Sequence, residues 1–169
     1  YYYESEIINC NNEDSYVRVG WSTRFGELQA PLGYDINSYC LCSQDGSKVH
    51  NRRRNQRYSQ DSFKTGDIIG CYLKLDEFNP ENSEIRFFKN GVDLGIAYSG
   101  LEDIPKGVYF PAISLFGMAH VSVNFGPSFI LKHDIYGANG CSEAQPMNPE
   151  DRKEHDLRIS KIRERLNFT

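Results

Sequence analysis

The chain has 169 residues, a length that suits one domain with a core of its own. Aromatic residues make up 13% of it, which favours β-sheet, and the net charge of -4 gives no general reason to expect nucleic-acid or membrane binding. No apolar run approaches the length of a membrane span, and no signal peptide opens the sequence.

Hydrophobic periodicity over residues 1–130 predicts short strands separated by turns, without a helical pattern. Asn90-Gly91 predicts a type I′ hairpin turn, because both central residues of that turn need positive φ. The sequence therefore predicts an all-β fold, an antiparallel β-sandwich. The predicted strands are 1–8, 16–21, 38–42, 68–75, 84–88, 93–98, 109–115 and 120–125.

The second predicted strand carries a candidate binding residue. Arg18 alternates with Val17 and Val19, so its side chain points away from the face that those valines share. An arginine on a rigid strand can clamp a carboxylate or phosphate with two parallel hydrogen bonds, although a surface arginine in a weak ion pair is the plainer alternative. In the following loop, Pro31 and Tyr34 either offer a rigid apolar surface for an extended peptide or close the loop over the core.

The cysteines indicate a reducing compartment, because their number is odd and most lie in apolar runs. Cys40 and Cys42 share one face of their predicted strand, but their spacing is not that of a zinc site. The five are Cys10, Cys40, Cys42, Cys71 and Cys141.

A dense basic run follows, formed by Arg52, Arg53, Arg54 and Arg57. Such a run is typical of a solvated loop. It could also attract an acidic segment or a DNA backbone, with a strong salt dependence. Few aromatic residues are interleaved with it, which disfavours base stacking and RNA recognition.

After the sandwich, the composition predicts a linker at residues 131–147 and a helical tail at residues 148–169. Asn148 is a suitable N-cap and Pro149 suits the first turn. One narrow apolar stripe requires a covering surface, either on the sandwich itself or on a partner. The stripe consists of His155, Ile159, Ile162 and Leu166.

The sequence gives no sign of catalysis. It has no nucleophile elbow, Walker loop or dinucleotide fingerprint, and its histidines lack metal-ligand spacing. A Ser-His-Asp triad assembled only by the fold is the remaining enzyme hypothesis, and it has no local support. We therefore expect a protein that is not an enzyme and uses no cofactor or metal.

Several segments resemble, in their order, the SPRY domain over residues 1–127. They include Tyr1-Tyr2-Tyr3-Glu4, Tyr109-Phe110-Pro111-Ala112 and Asn124-Phe125-Gly126-Pro127. Leu28-Gln29-Ala30-Pro31-Leu32-Gly33-Tyr34-Asp35 with Ser38-Tyr39 resembles one branch, the Ash-two subunit of trithorax/COMPASS (MLL-type) histone methyltransferase complexes. The resemblance implies a nuclear adaptor rather than the catalytic subunit.

In that branch a positively charged pocket binds an acidic segment of the retinoblastoma-binding WD40 subunit, and the pair stimulates the SET-domain methyltransferase on lysine 4 of histone three. The resemblance implies that Arg18 grips the acidic segment beside Pro31 and Tyr34. Where the branch carries a further arginine and a lysine, this chain has Cys42 and Gln44. We expect the basic run at residues 52–57 to replace the missing charge.

The branch also has a helix after its SPRY domain that docks on a dumpy-thirty-type dimer, so the resemblance assigns the apolar stripe of residues 148–169 to that partner. Two other binding functions stay open. One is a generic SPRY peptide receptor, such as a ubiquitin-ligase substrate receptor, with no requirement for Arg18. The other is association of the basic run with nucleosomal DNA, which would show a steep salt dependence.

Overall fold

The computed structural model describes residues 1–59 and 61–131, with positions 153, 157, 160 and 161 of the C-terminal segment. Residues 1–131 contain ten strands, together with one 3-10 turn at Pro80–Asn82 and one short helix, α1, at Gly100–Asp103. The strands are β1 Tyr2–Asn9, β2 Tyr16–Thr23, β3 Ser38–Cys42, β4 Lys48–His50, β5 Arg53–Asn55, β6 Ile68–Lys74, β7 Glu84–Lys89, β8 Val92–Ser99, β9 Tyr109–Phe116 and β10 His120–Asn124.

The strands form two five-stranded antiparallel sheets, so the predicted all-β sandwich is confirmed. The first sheet has the order β10-β1-β6-β7-β8, and the second has the order β5-β4-β3-β2-β9. The hairpin between β7 and β8 turns at Asn90 and Gly91, whose φ values of 50° and 88° agree with the predicted turn.

All eight predicted strands are present, but β4 and β5 were not predicted. Each has three residues, too few for alternation to show. The prediction of a loop over the basic run was wrong in part, because Arg53 and Arg54 lie in β5, the edge strand of the second sheet. Charged residues suit an edge strand because they discourage further strand pairing.

The core lies between the two sheets and includes Val17, Val19 and Trp21 of β2, all essentially inaccessible to solvent. Tyr3 of β1 crosses this core. Its hydroxyl donates to the Gly20 carbonyl at 2.6 Å and accepts from the Gly20 amide at 3.0 Å. The ring of Tyr3 also meets that of Trp21 edge to face, at a centroid distance of 5.2 Å. Tyr3 therefore joins the two sheets at β2.

The first sheet also holds the end of the described domain. The carboxylate of Glu4, in β1, is fully buried and accepts hydrogen bonds from the backbone amides of Ile130 at 2.7 Å and Leu131 at 2.9 Å. It accepts weaker ones at 3.3 Å from the Tyr2 hydroxyl and the Asn124 side-chain amide. These bonds satisfy a charge that would otherwise be costly to bury.

In the C-terminal segment, Lys153, Leu157, Ser160 and Lys161 are helical and exposed. The predicted N-cap and all four residues of the apolar stripe (His155, Ile159, Ile162 and Leu166) lie outside the described residues, as does most of the predicted linker. The boundaries at residues 130 and 147 stay predictions. No helix of the described residues combines the length and apolar character needed to cross a membrane.

Candidate functional site

Strand register places two candidate residues, Arg18 and Cys42, on the outer face of the second sheet together with Ser114. Arg18 of β2 lies opposite Cys42 of β3 and opposite Ser114 of β9. Directly opposed residues in antiparallel strands point to the same side of the sheet. Arg18 is half-buried there, whereas Val17 and Val19 on the inner side are fully buried, as the alternation predicts.

Hydrogen bonds hold the loop after β2 against this face. The Arg18 guanidinium donates to the carbonyl of Leu32 at 2.8 Å, and the amide of Leu32 donates to the Ser114 hydroxyl at 2.8 Å. Leu32 is 8% exposed and closes the loop, whereas Pro31 and Tyr34 are exposed. Pro31 and Tyr34 therefore do not close the loop over the core. Their exposure agrees with the other predicted alternative, an apolar surface that a peptide could contact.

The basic run meets this surface through two of its four arginines. Arg52 stacks on Tyr34, with the guanidinium carbon 4.4 Å from the ring centroid, and its backbone amide donates to the Gly33 carbonyl at 3.0 Å. Arg54 shares the outer face with Cys42, and its Nη2 lies 4.0 Å from the Cys42 sulfur. A guanidinium therefore lies directly beside Cys42.

The other candidates are not brought to the same place. Arg53 pairs with His50 across β4 and therefore faces the opposite side of the sheet from Arg54. Gln44 and Arg57 are exposed, and within residues 1–131 no described hydrogen bond links either side chain to Arg18. We use the name Arg18–Arg54 surface for the set that does meet, which is Arg18, Pro31, Tyr34, Cys42, Arg52 and Arg54.

Cys40 and Cys42 lie next to each other on this face, in one cluster with Leu32. Burial raises the pKa of the Cys40 thiol, so Cys40 stays protonated. The adjacent Cys40 thiol and the nearby charges of Arg18 and Arg54 outweigh burial and lower the pKa of the Cys42 thiol to about 7. The Cys40 thiol itself donates to the carbonyl of Leu32 at 3.1 Å. Both cysteines are free of disulfide bonds within the described residues, as is Cys10. Cys141 lies outside the described residues.

The carboxylate of Asp45 would compete with an acidic ligand for Arg54. Asp45 accepts a hydrogen bond from Arg54 Nη1 at 2.9 Å, forming an ion pair in which both side chains remain about one-third exposed (32% and 27%). Such a pair is weak and can exchange for a ligand carboxylate. The described residues contain no group of three or more His, Cys, Asp or Glu side chains that could hold a metal ion.

The sequence indicated Arg18, Pro31 and Tyr34 as site residues, but not the residues that hold their loop in place. Leu32 and Ser114 fix the loop, and neither carries a motif that marks this role. Arg54 was indicated only as one member of a basic run. Its place beside Cys42 follows from the pairing of β3, β4 and β5, which no local pattern encodes.

Comparison with known proteins identifies the fold family. Residues 1–128 match the family model described as SPRY domain. The chain belongs to the SPRY family. A solved human SPRY domain superposes with a TM-score of 0.58 at 22% identity, over 76% of this chain and 78% of that one, which supports the shared fold.

The resemblance to Ash-two subunits is confirmed as well. The Drosophila melanogaster protein "Set1/Ash2 histone methyltransferase complex subunit ASH2" is 35% identical over 151 residues, covering 67% of this SPRY chain and 26% of the relative. The Arabidopsis thaliana "E3 ubiquitin-protein ligase RKP" is 32% identical over 130 residues, covering 75% and 10%. The chain thus spans about a quarter of the ASH2 relative.

Proposed function

We propose that this SPRY domain is a non-catalytic adaptor of a nuclear Set1/Ash2-type histone methyltransferase complex, and that its Arg18–Arg54 surface binds an acidic segment of the WD40 subunit. The observation that carries the proposal is the convergence of Arg18 and Arg54 on one sheet face beside the exposed Tyr34. The similarity to ASH2 supports the kind of complex and a role in chromatin regulation.

The geometry suits a peptide rich in carboxylates. Arg18 is held on an interior strand and by Leu32, so little conformational freedom is lost when its guanidinium binds a carboxylate. Arg54 can exchange its exposed Asp45 partner for the ligand. Pro31 and Tyr34 offer rigid apolar area beside these charges, and such area contributes affinity at a small entropic cost.

Stimulation of methylation would be allosteric. By holding a flexible acidic segment of the WD40 subunit, the SPRY domain would favour the active conformation of the SET-domain methyltransferase on lysine 4 of histone three. The adaptor would then change activity without contributing a catalytic group.

Calorimetric titration with the acidic segment of the WD40 subunit tests the proposal. We expect the wild-type domain to bind, with affinity falling as salt rises, and Arg18→Ala to bind about tenfold or more weakly because a charge-assisted contact is lost. Arg53→Ala removes the same charge from the opposite face of the sheet and should bind like the wild type.

A second control separates charge from loop position. Arg18→Ala also releases Leu32, and Ser114→Ala releases the same residue without changing any charge. Equal losses in the two variants would assign the effect to the loop rather than to the arginine. Absence of binding by the wild-type domain at low salt would overturn the proposed acidic ligand.

The second candidate is a generic peptide receptor, such as a substrate receptor of a ubiquitin ligase. It is favoured by the similarity to the Arabidopsis ligase RKP. Binding of a neutral peptide with equal affinity by the wild type and Arg18→Ala would support it, since a neutral ligand does not need the guanidinium.

Two further partners belong to the same adaptor hypothesis. We propose that the stripe of residues 148–169 binds a dumpy-thirty-type dimer, and equal binding by a chain that ends at residue 147 would contradict this.

We also propose that Arg52, Arg53, Arg54 and Arg57 contact nucleosomal DNA in the assembled complex. That contact should weaken steeply with salt and show no sequence preference.

A further inference from the structure

The turn between β4 and β5 has an unfavourable residue at its second position. Asn51 and Arg52 have φ values of 48° and 64°, so both lie in the left-handed region, and the strands pair directly on either side of them. This is a type I′ turn, which favours glycine at the second position. A residue with a Cβ atom is strained in this conformation, so Arg52 lowers the stability of the turn.

The same protein contains the favoured form of this turn. The hairpin between β7 and β8 turns at Asn90 and Gly91, with φ values of 50° and 88°. The backbone contacts of the β4–β5 turn do not explain why arginine replaces glycine there. The Arg52 amide donates to the Gly33 carbonyl at 3.0 Å, a bond that glycine could make equally well. The reason for the arginine therefore lies in its side chain.

The Arg52 side chain belongs to the Arg18–Arg54 surface. Its guanidinium carbon lies 4.4 Å from the centroid of the Tyr34 ring, and both residues are exposed. Stacking on an aromatic ring holds a guanidinium in place while its N–H groups stay able to bind a carboxylate. Arg52 is thus oriented for a ligand before the ligand arrives.

Arg52 also has no acidic partner to release. Within residues 1–59 and 61–131, no carboxylate forms an ion pair with its guanidinium. Arg54, in contrast, has to give up its ion pair with Asp45 before it binds a ligand carboxylate. The charge of Arg52 is therefore available to a ligand without the loss of an existing ion pair.

We propose that Arg52 is a second carboxylate-binding position of the Arg18–Arg54 surface, and that it selects peptides whose acidic residues form two groups separated by an apolar stretch. This inference rests on the proposed function and adds to it the spacing of the charges in the ligand. Arginine in the turn then contributes to binding at a cost to the stability of the free domain.

The loop between β2 and β3 separates the two carboxylate-binding positions. The Arg18 guanidinium donates to the Leu32 carbonyl, and the Arg52 amide donates to the carbonyl of the next residue, Gly33. Because β3 lies between β2 and β4, these two strands are about 10 Å apart across the sheet. An extended peptide advances about 3.3 Å per residue, so its two acidic groups lie at least about three residues apart. The residues between them cross the exposed Pro31, so we expect them to be apolar.

Calorimetric titration with designed peptides tests the second position. The first peptide has two glutamate pairs separated by three apolar residues, and each of two further peptides has one pair replaced by glutamines. We expect Arg52→Gly to bind the first peptide about threefold or more weakly than the wild type, because a charged contact is lost. Arg53→Ala removes the same charge from the neighbouring residue, whose side chain faces the other side of the sheet from Arg54, and should bind like the wild type.

The two peptides with a single glutamate pair separate a direct contact from an effect through the loop. One of them should bind the wild type and Arg52→Gly equally while it remains sensitive to Arg18→Ala, and the other should show the reverse. Loosening of Tyr34 would instead weaken both peptides equally in Arg52→Gly. That result would overturn the direct contact.

Thermal unfolding tests the strain in the turn. Arg52→Gly and Arg52→Ala both lack the guanidinium, but only glycine relieves the left-handed conformation. Arg52→Gly should therefore unfold about 2–4 °C above Arg52→Ala, while the two variants bind the first peptide equally weakly. Equal unfolding temperatures would overturn the cost to stability.

The binding outcomes distinguish this inference from the proposed function. Wild-type binding that Arg18→Ala weakens and Arg52→Gly leaves unchanged would overturn the second position and leave the acidic ligand intact. If Arg52→Gly weakened only the binding of nucleosomal DNA, Arg52 would belong to the DNA contact instead. Failure of the wild-type domain to bind either the first peptide or the acidic segment of the WD40 subunit at low salt would overturn both.

Discussion

Asp45 limits the positive charge that Arg54 can offer to a ligand. Against the effect of burial, the hydrogen bond from the Ser47 amide and the Arg54 charge lower the pKa of Asp45, so this carboxylate is ionised at neutral pH. Its ion pair with Arg54 has to open when a ligand carboxylate takes its place. Asp45 is therefore expected to weaken the binding of acidic peptides.

We predict that Asp45→Asn binds the acidic segment of the WD40 subunit about twofold to fivefold more tightly, the range that corresponds to an exposed ion pair. Asparagine can still accept the hydrogen bond that the Ser47 amide donates to Asp45 at 3.1 Å. Calorimetric titration is the measurement. Glu102→Gln removes the same charge from α1, and an equal gain in that variant would assign the effect to net charge alone.

The interior strand β2 depends on one glycine, Gly20, for its close approach to β3. A Cβ at Gly20 would overlap the carbonyl oxygen of Tyr39 and lie 2.9 Å from the Cys40 Cα atom. These are backbone atoms of a paired strand and cannot move independently of it. A side chain at position 20 would therefore separate the strands that carry Arg18 and Cys42.

We predict that Gly20→Ala lowers the free energy of unfolding by about 3 kcal/mol or more, measured by denaturant titration. Gly107→Ala is the matched control, because a Cβ there meets no atom within 4 Å. It should change stability little. Equal stability of the two variants would show that the β2–β3 contact adjusts more easily than the structure indicates.

The backbone at Ile130 and Leu131 is attached to the first sheet by a buried carboxylate, beside Phe129, whose ring packs edge to face on Tyr2 at a centroid distance of 4.8 Å. The Glu4 carboxylate accepts hydrogen bonds from the backbone amides of Ile130 and Leu131, which are more than 120 residues away along the chain. A glutamine in its place would turn an N–H group toward one of those amides. One hydrogen bond would be lost and two donors would face each other in a buried site.

We predict that Glu4→Gln lowers the free energy of unfolding by roughly 2–4 kcal/mol, the loss of one or two charge-assisted hydrogen bonds. Hydrogen exchange at Ile130 and Leu131 should accelerate at the same time. Glu6→Gln, two residues along the same strand and partly exposed, is the control. If exchange at Ile130 and Leu131 were unchanged in Glu4→Gln, the attachment would not depend on the carboxylate.

The sequence by itself determined the sandwich, its eight longer strands, the turn at Asn90-Gly91 and the outward direction of Arg18. Each of these follows from interactions between residues close together in the chain. Alternation separates two faces of one strand, and a turn type depends on the φ values of two neighbours. The SPRY resemblance likewise depends on ordered local motifs.

Only the tertiary structure decided that β4 and β5 exist, that Arg54 rather than Arg53 reaches Cys42, and that Leu32 is buried while Tyr34 is exposed. The strand pairing that brings Arg54 to Cys42 joins segments 12 residues apart, and the loop is fixed by a bond between Leu32 and Ser114, 82 residues apart. Contacts of this kind depend on register and packing in three dimensions, which leave no periodic signal in the sequence.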